Sequence, residues 1–278
     1  MKFYINAARS GNEYDLRNVF ARKKAIFTDI DQTLRRDKIP VEKEMANVII
    51  ELALRLGDGR FGVISGSGIE SITNSFAKPV CEQMNERGQF PKIWMMANYG
   101  GTAFVIDKGT VVPVYEEERL DINERRLINY ALSSVFRREH IYNFEKVYKG
   151  SQVSIGLLGN NSSSEERMGY DPDGTKRMAL TKMLRRLIPQ RLEVFAAGMT
   201  SIDITRINKA MAVEKLAELN GLKKNDILYF GDAMFEGGND YPVRINGVDC
   251  IGVRDPEETK RMFESLIKIL GRNADLKT

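Results

Sequence analysis

Histidine and cysteine are scarce in this sequence of 278 residues, which contains one histidine, His140, and two cysteines, Cys81 and Cys250. A single histidine excludes a histidine-rich metal site and offers little basis for a histidine-dependent triad, so we interpret His140 as a surface or interface residue. Two distant cysteines provide neither a dense disulfide framework nor a cysteine metal site. The cysteine content fits a reducing, cytoplasmic setting.

Long apolar runs are also absent from the sequence. No stretch is long enough to cross a bilayer, and the first 24 residues lack the continuous apolar core of a secretion signal. Hydrophobic residues make up 42% of the chain and charged residues 29%, which is typical of a soluble globular protein. We therefore expect a cytoplasmic protein without a membrane partner. Residues 1–22 show no pattern to which we assign a role.

The charge is nearly balanced and spread along the chain. Forty-two Lys and Arg residues against thirty-eight Asp and Glu residues give a net charge of +4. No basic arm, zinc pattern or aromatic RNA-binding motif accompanies this charge, so we expect no nucleic-acid partner. A mild positive charge suits a small anionic substrate. The length allows one large domain or a core carrying an insert, and it leaves a homodimer open.

Apolar periodicity predicts alternating strands and helices at both ends of the chain. The segment 24–30 reads as a short buried strand, 41–57 as an amphipathic helix that ends at a glycine, and 60–68 as a second strand that runs into a turn. Near the C-terminus, 207–221 reads as a helix and 226–232 as a strand. This β-α-β order predicts an α/β fold with a parallel sheet.

The segment from 108 to 199 interrupts this alternation. It contains a charged helix at 121–139 and a strand near 152–156, followed by a polar loop rich in Gly, Ser and Asn. A segment of this size between two halves of one sheet predicts an inserted domain whose two crossings form a hinge. We therefore expect a core formed by residues 1–107 and 200–278, and a cap formed by residues 108–199.

Polar side chains follow several predicted strands at the point where each strand ends. In parallel α/β sheets ligands bind at this edge, so the side chains are candidates for a shared site. Each one alone also has an ordinary explanation as a turn residue, a helix cap or a solvated lysine. Their common placement favours a hard cation beside a phosphate. The candidates are Asp29, Asp31, Ser65, Gly66, Lys209, Asp232, Asn239 and Asp240.

These motifs resemble those of the haloacid dehalogenase-like (HAD) superfamily of aspartate-nucleophile phosphotransferases. "DIDQT" is similar to its first motif, "VISGSG" to its second, Lys209 to its third and "GDAMFEGGND" to its fourth. The resemblance narrows at "LINYALSS", "SSSEER" and "TSIDI", which look like the eukaryotic-type phosphomannomutase branch. It implies a Rossmann-like parallel-sheet core with an inserted α/β cap of type IIB.

The resemblance implies a role for each carboxylate. Asp29 would attack phosphorus and form an aspartyl phosphate, and Asp31 would protonate the leaving oxygen and later activate the acceptor. Mg²⁺ would be held by Asp29, the Asp31 backbone carbonyl and Asp232, with Asp240 as a further ligand or as a partner of those ligands. Two close carboxylates resist joint ionisation, which suits one nucleophile and one acid.

The same resemblance implies the phosphate-binding groups. Ser65 and neighbouring backbone amides, including that of Gly66, would hold phosphate oxygens, and Lys209 would offset negative charge on the nucleophile and on the phosphoryl group. Thr33 would order the loop rather than react. The substrate would be a small phosphorylated metabolite, most simply a sugar phosphate.

The sequence departs from the phosphomannomutase pattern at four positions. Gln32 stands where the superfamily usually has glycine, and Ser65 is the residue expected of phosphatase relatives. In the cap, Lys149 and Asn160 stand where the mutases use arginines to bind the second phosphate. We therefore predict a Mg²⁺-dependent phosphatase, with a phosphosugar mutase as the alternative and a catalytically silent binding module as a third interpretation.

Overall fold

This computed structural model describes residues 2–4, 19–20, 22–36, 39–117, 119–158 and 162–275. The strands are β1 (Lys2–Tyr4), β2 (Ala25–Thr28), β3 (Phe61–Ile64), β4 (Ile93–Ala97), β5 (Thr102–Asp107), β6 (Thr110–Glu116), β7 (Glu145–Lys149), β8 (Gln152–Gly156), β9 (Glu193–Ala197), β10 (Ser201–Thr205), β11 (Ile227–Gly231) and β12 (Asp249–Gly252). The α-helices are α1 (Lys43–Leu56), α2 (Ile69–Ile72), α3 (Lys78–Arg87), α4 (Ile122–Arg138), α5 (Ser164–Tyr170), α6 (Thr175–Arg185), α7 (Lys209–Leu219), α8 (Tyr241–Ile245) and α9 (Pro256–Asp275). A π-helical turn, Thr73–Ala77, joins α2 to α3.

The larger sheet has eight strands in the order β1-β12-β11-β2-β3-β4-β5-β6. The five central strands, β12 to β4 in this order, are parallel. This confirms the predicted α/β fold with a mainly parallel sheet. Three outer strands, β1, β5 and β6, are antiparallel to their neighbours. Short turns join β4 to β5 and β5 to β6, and a parallel crossover needs a much longer connection.

Helices cover both faces of the large sheet, which explains the apolar runs in its central strands. On one face α1, α3 and α9 pack through residues such as Ile49, Met84 and Phe263. On the other face α7 and α8 pack through Val213 and Val243. Both faces of β2, β3, β4 and β11 are therefore buried, and only the strand ends are left for polar chemistry.

A second, four-stranded sheet forms the inserted domain. Its strands run in the order β7-β8-β10-β9, and every neighbouring pair is antiparallel. Helices α4 and α6 contribute Leu132, Phe136 and Leu184 to the core beneath it. The predicted limits of the insert, 108 and 199, do not match the sheets, because β6 extends the large sheet and β10 belongs to the small one. The crossings therefore lie after Glu116 and after Thr205.

Glu124 ties the beginning of the insert to its end. It closes a capping box with Asp121 at the start of α4. Its side chain is 1% exposed and accepts hydrogen bonds from Arg206, at 2.5 Å and 3.0 Å, and from Arg191, at 3.2 Å. Because Arg206 directly follows β10, these bonds hold the outgoing and returning chains side by side. Within the described residues, no helix combines the length and the apolar character that crossing a membrane requires.

Candidate active site

Three buried or half-buried carboxylates meet at the carboxyl edge of the large sheet. Asp29 directly follows β2, Asp232 directly follows β11, and Asp240 precedes α8. Because β2 and β11 are parallel neighbours, their ends deliver Asp29 and Asp232 to the same place. One carboxylate oxygen from each of the three residues lies within 4.8 Å of the others. The structure thus brings together three of the predicted residues.

Lys209 is the cation at the centre of this cluster. It is the first residue of α7, whose start is capped by the side chain of Asn208, and it is fully buried. Its Nζ atom lies 2.5 Å from Asp29 Oδ1 and 2.7 Å from Asp240 Oδ1. Burial lowers the pKa of Lys209, but attraction to Asp240 and Asp29 outweighs burial and leaves this pKa above its ordinary value. Lys209 is therefore charged.

Negative charge exceeds positive charge in this cluster, because one ammonium group faces three carboxylates. Burial raises the pKa of Asp29 well above its ordinary value, against the attraction of Lys209 and with repulsion from the neighbouring acids. Burial and repulsion from Asp240 raise the pKa of Asp232 to about 7. Oxygen donors at this spacing, with uncompensated charge, fit a hard divalent cation such as Mg²⁺.

Asp240 is held by protein donors on both of its oxygens. Oδ1 accepts hydrogen bonds from Lys209 and from the hydroxyl of Tyr229, at 2.6 Å, and Oδ2 accepts one from the backbone N–H of Ala233, at 3.0 Å. Glycine is required at position 231, because a Cβ there would meet the Asp240 carboxylate. These contacts fix Asp240 beside Lys209, which suits a residue that orients the lysine.

Asp31 lies in the loop after Asp29, at the mouth of the site. Its Oδ1 lies 2.6 Å from Arg35 Nη2, and its Oδ2 accepts a hydrogen bond from Ser67 Oγ at 3.4 Å. Gln32 adopts the left-handed conformation, with φ of 58°. Glycine adopts that conformation without strain, and the loop keeps it at Gln32 despite the side chain. Thr33 Oγ1 is buried and accepts or donates no hydrogen bond within the described residues, so it does not order the loop in this way.

Ser65 and Gly66 form the turn after β3, next to the end of β2. The backbone N–H of Ser67 donates to Ser65 Oγ at 3.0 Å, which turns the chain sharply at the strand end. A Cβ at Gly66 would lie 2.5 Å from the ring of Tyr99, so glycine lets this aromatic ring approach the turn. Ser65 and Gly66 line the same cavity as Asp29 and Asp31.

The cap contributes a polar network above this turn. Lys149 Nζ donates to Ser154 Oγ at 3.2 Å, and Ser154 Oγ donates a short hydrogen bond to Asp203. Tyr99 of the core donates its hydroxyl hydrogen to Asp203 Oδ2 at 2.6 Å. The side chain of Gln152 donates to the carbonyl of Gly66 at 3.1 Å. Burial raises the pKa of Asp203, although Lys149 and the hydrogen bonds oppose it.

A cavity of about 470 Å³ lies between this network and the acidic cluster. The predicted residues Asp29, Asp31, Ser65, Gly66, Lys149 and Asp232 line it. Asn160 falls outside the described residues. His140 is exposed, contacts Tyr142 and is not among the lining residues. The cavity is also lined by Arg35, Tyr99, Arg167, Arg177 and Asp203, which no sequence motif indicated.

Arg177 donates hydrogen bonds to several acceptors within the cap. Its Nε donates to Asp171 Oδ2 at 2.8 Å, its Nη2 donates to the Asp171 carbonyl at 3.3 Å, and its Nη1 donates to the carbonyl of Gly198. This guanidinium therefore holds the start of α6 against the end of β9. Lys149 is similarly committed to Ser154. Arg167, on α5, is the third cap cation that lines the cavity.

Sequence comparison connects the chain to phosphomannomutases. The family model described as eukaryotic phosphomannomutase matches residues 60–269, more than half of the chain. The chain is 26% identical to a phosphomannomutase of Encephalitozoon cuniculi, over 90% of this chain and 96% of that protein. It is also 26% identical to a phosphomannomutase of Spinacia oleracea, over 87% of this chain and 95% of that protein.

Comparison of folds gives neighbours named as a nucleotidase and a hydrolase. An IMP-nucleotidase of Plasmodium falciparum superposes with a TM-score of 0.69 at 15% identity, over 91% of this chain and 72% of that one. A haloacid dehalogenase-like hydrolase of Bacteroides thetaiotaomicron gives a TM-score of 0.53 at 16% identity, over 89% of this chain and 99% of that one. At this identity the likeness concerns the fold alone.

Proposed function

Because the chain belongs to the eukaryotic phosphomannomutase family of the HAD superfamily, and is thus a phosphoryl-transfer enzyme, we propose that it is a Mg²⁺-dependent phosphatase of small sugar phosphates. The observation that supports the chemistry is the cluster of Asp29, Lys209, Asp232 and Asp240, in which one buried lysine offsets three carboxylates. Uncompensated buried charge is costly unless a cation joins it.

In this proposal Asp29 is the nucleophile. Its carboxylate attacks phosphorus, the bond between phosphorus and the ester oxygen breaks, and Asp31 gives a proton to the departing alcohol. Asp31 then takes a proton from water, which attacks the aspartyl phosphate and releases inorganic phosphate. Lys209 keeps Asp29 oriented through the 2.5 Å contact and offsets charge on the phosphoryl group.

Asp29, Asp232 and the Asp31 carbonyl are the groups that we expect to hold Mg²⁺. When bound, the ion supplies positive charge to the phosphate oxygens and keeps the nucleophile ionised. Asp240 was predicted as a further ligand or as a partner of the ligands, and its three hydrogen bonds from protein donors favour the second role. Ser65 and the amide of Gly66 would bind phosphate oxygens beside the cluster.

The cap supports hydrolysis over isomerisation. A mutase must hold a sugar bisphosphate while the ring reorients, which requires strong cationic binding far from the metal. Lys149 is committed to Ser154 beside the acidic Asp203, and Arg177 is bonded to Asp171 and to backbone carbonyls. Lys149 and Arg177 therefore have internal partners that a second phosphate would have to displace.

A phosphosugar mutase is the second candidate, and family membership over most of the chain favours it. Arg167 is the cap cation through which a second phosphate would be bound in that case, since it lines the cavity. The two candidates share the acidic cluster and differ in whether water or a sugar hydroxyl accepts the phosphoryl group.

The test is a phosphate-release assay on a panel of sugar phosphates and nucleoside monophosphates. We expect release from sugar phosphates with Mg²⁺, loss of release with a chelator, and recovery when Mg²⁺ is restored. An Asp29→Asn variant that melts like the wild type serves as the control for contaminating phosphatases. Folded, Mg²⁺-loaded protein that releases no phosphate from any substrate would contradict the proposal and favour the mutase or a silent binding module.

A further inference from the structure

Arg35 is an unexpected neighbour of the Asp31 carboxylate. Its Nη2 atom lies 2.6 Å from Asp31 Oδ1, and both residues line the cavity of the candidate active site. The first motif of the superfamily suggested a role for Asp31 but gave no signal for a residue four positions later. The contact is therefore seen in the structure and was not predictable from the motif.

The backbone of the loop creates this contact. Asp31 and Arg35 form an isolated β-bridge, and the N–H of Gln32 donates to the carbonyl of Arg35 at 2.8 Å. The N–H of Arg35 in turn donates to the carbonyl of Ile30 at 3.1 Å. The left-handed conformation of Gln32 turns the chain back on itself, so that residue 35 returns to the side of residue 31.

Burial, the contact with Asp31 and one hydrogen bond hold Arg35 in this position, and its buried Nε makes no hydrogen bond within the described residues. Its side chain is 7% exposed, and Nη1 donates to the carbonyl of Ile39 at 3.2 Å. A buried guanidinium is stable only beside a negative charge, and Asp31 is the carboxylate that lies against it. Asp31 Oδ1 is itself buried and accepts no aligned hydrogen bond within the described residues, so the ion pair compensates both groups.

We propose that Arg35 is a positioning residue that fixes the Asp31 carboxylate for proton transfer to the leaving ester oxygen and from the attacking water. The inference rests on the proposed function, in which Asp31 is the acid and base. Ser67 lies 3.4 Å from the other carboxylate oxygen, and Thr33 makes no hydrogen bond in the described residues. Arg35 is thus the closest group that restrains Asp31. Proton transfer depends on such restraint, because the donor must lie within hydrogen-bond reach of the leaving oxygen.

The experiment compares leaving groups. A sugar phosphate releases a poor leaving group that needs a proton, and 4-nitrophenyl phosphate releases one that does not. We expect Arg35→Gln to lower kcat on the sugar phosphate by about 10- to 100-fold and on the aryl phosphate by less than about threefold, as part of the 10²- to 10⁴-fold effect of acid-base catalysis. Arg35→Lys should lie between Arg35→Gln and the wild type on the sugar phosphate. In the Asp31→Asn variant, adding Arg35→Gln should lower kcat on the sugar phosphate little further.

Arg36 offers the matched control. It is the next residue, it is also an arginine, and it pairs with Glu257 at 2.7 Å on the surface, outside the cavity. Arg36→Gln should keep both activities. Melting temperatures identify any variant that does not fold. If Arg35→Gln does not fold, the two substrates are compared in Arg35→Lys instead.

Three results would overturn the inference. Equal loss on both substrates would indicate a structural role, a rise in KM alone would indicate direct contact with the substrate, and unchanged kinetics would indicate no role. These results presuppose an active wild type. A wild-type enzyme that releases no phosphate from either substrate would overturn the proposed function, and this inference with it.

Discussion

At the scale of single residues, Lys209 connects the fold to the chemistry. It has no exposed surface, and its charge is matched by Asp29 and Asp240. The hydroxyl of Tyr229 reaches the same oxygen of Asp240, so the lysine, the tyrosine and the carboxylate restrain one another. In the proposed function, Asp29 is thus oriented as the nucleophile before the substrate arrives, which is where much of the rate enhancement of phosphoryl transfer originates.

Replacing the nucleophile should separate activity from stability. We expect Asp29→Asn to lower turnover by at least about 10³-fold, because an amide is a poor nucleophile and a weak ligand for Mg²⁺. In metal-free protein the variant should melt near the wild type, because loss of the Asp29 contact with Lys209 is opposed by relief of the cost of an ionised Asp29 buried beside other acids. Steady-state kinetics and thermal unfolding with a chelator check both points. Near-normal turnover would remove Asp29 from the nucleophile role.

Replacing Lys209 should lower both the activity and the stability of the protein. Lys209→Met leaves Asp29 and Asp240 buried without their cation, so we expect a loss of about 3–5 kcal/mol in the free energy of unfolding, together with loss of phosphate release. Lys215 on the same helix is the matched control, since it pairs with Glu218 on the surface, and Lys215→Met should change neither quantity by much. Unfolding in denaturant measures the difference, and similar losses in both variants would contradict the assigned role of Lys209.

At the scale of elements, the chain crosses between the two sheets at two points that Glu124 joins. Its carboxylate accepts bonds from Arg206, which follows the last strand of the insert, and from Arg191. Burial raises the pKa of Glu124, but the bonds from Arg206, Asp121 and Arg191 outweigh burial and lower it below 4.5. The ionised form is therefore favoured in the folded protein.

Neutralising Glu124 should destabilise the protein, and the size of this effect should depend on pH. We expect Glu124→Gln to lower the free energy of unfolding at pH 7 by about 1–3 kcal/mol, the usual cost of losing hydrogen bonds to charged partners. Because the folded pKa is lowered, the stabilisation by Glu124 is complete above the ordinary value of 4.5 and is lost as pH falls below it. The difference in the free energy of unfolding between variant and wild type should therefore decrease at low pH. Glu218→Gln on the surface is the control, and a pH-independent difference would contradict the assignment.

The elements were predictable where the local pattern agrees with the fold. The apolar run before Asp29 and the alternation around Lys209 predict a strand and a helix, and both are present. The limits of the insert were predicted wrongly. The predicted first limit, residue 108, lies in the turn of the hairpin that pairs β6 with β5, and β10 lies in the small sheet because it pairs with β8 and β9. Tyr99 and Asp203 were missed because 104 positions separate the two partners.

At the scale of the whole molecule, two hydrogen bonds join the cap to the core across the cavity. Tyr99 reaches Asp203, and Gln152 reaches the carbonyl of Gly66 in the predicted phosphate-binding turn. A larger cleft of about 610 Å³ lies on the other side of Met178, where α6 faces the loop of Gly237. The cap therefore contacts the core around the site and leaves space beside it, which would allow the cap to move.

Removing one of these bonds should loosen the cap. We expect Tyr99→Phe to raise the KM for the sugar phosphate several-fold and to increase the radius of gyration in small-angle scattering, because a buried Asp203 loses a donor. Tyr115→Phe is the matched control, since Tyr115 donates to Gly100 within the core, at 2.9 Å, and its loss should leave the radius unchanged. An unchanged radius and KM in Tyr99→Phe would contradict a role for this bond in cap closure.

The products of one reaction test the central claim most directly. Protein is incubated with Mg²⁺ and mannose 1-phosphate, and ³¹P NMR resolves inorganic phosphate from the 1-phosphate and the 6-phosphate. Because Lys149 and Arg177 are engaged within the cap, we predict that inorganic phosphate is the main product, that the 6-phosphate is minor, and that a sugar bisphosphate is not required. Dominant conversion to the 6-phosphate, stimulated by a sugar bisphosphate, would contradict hydrolysis and establish the mutase.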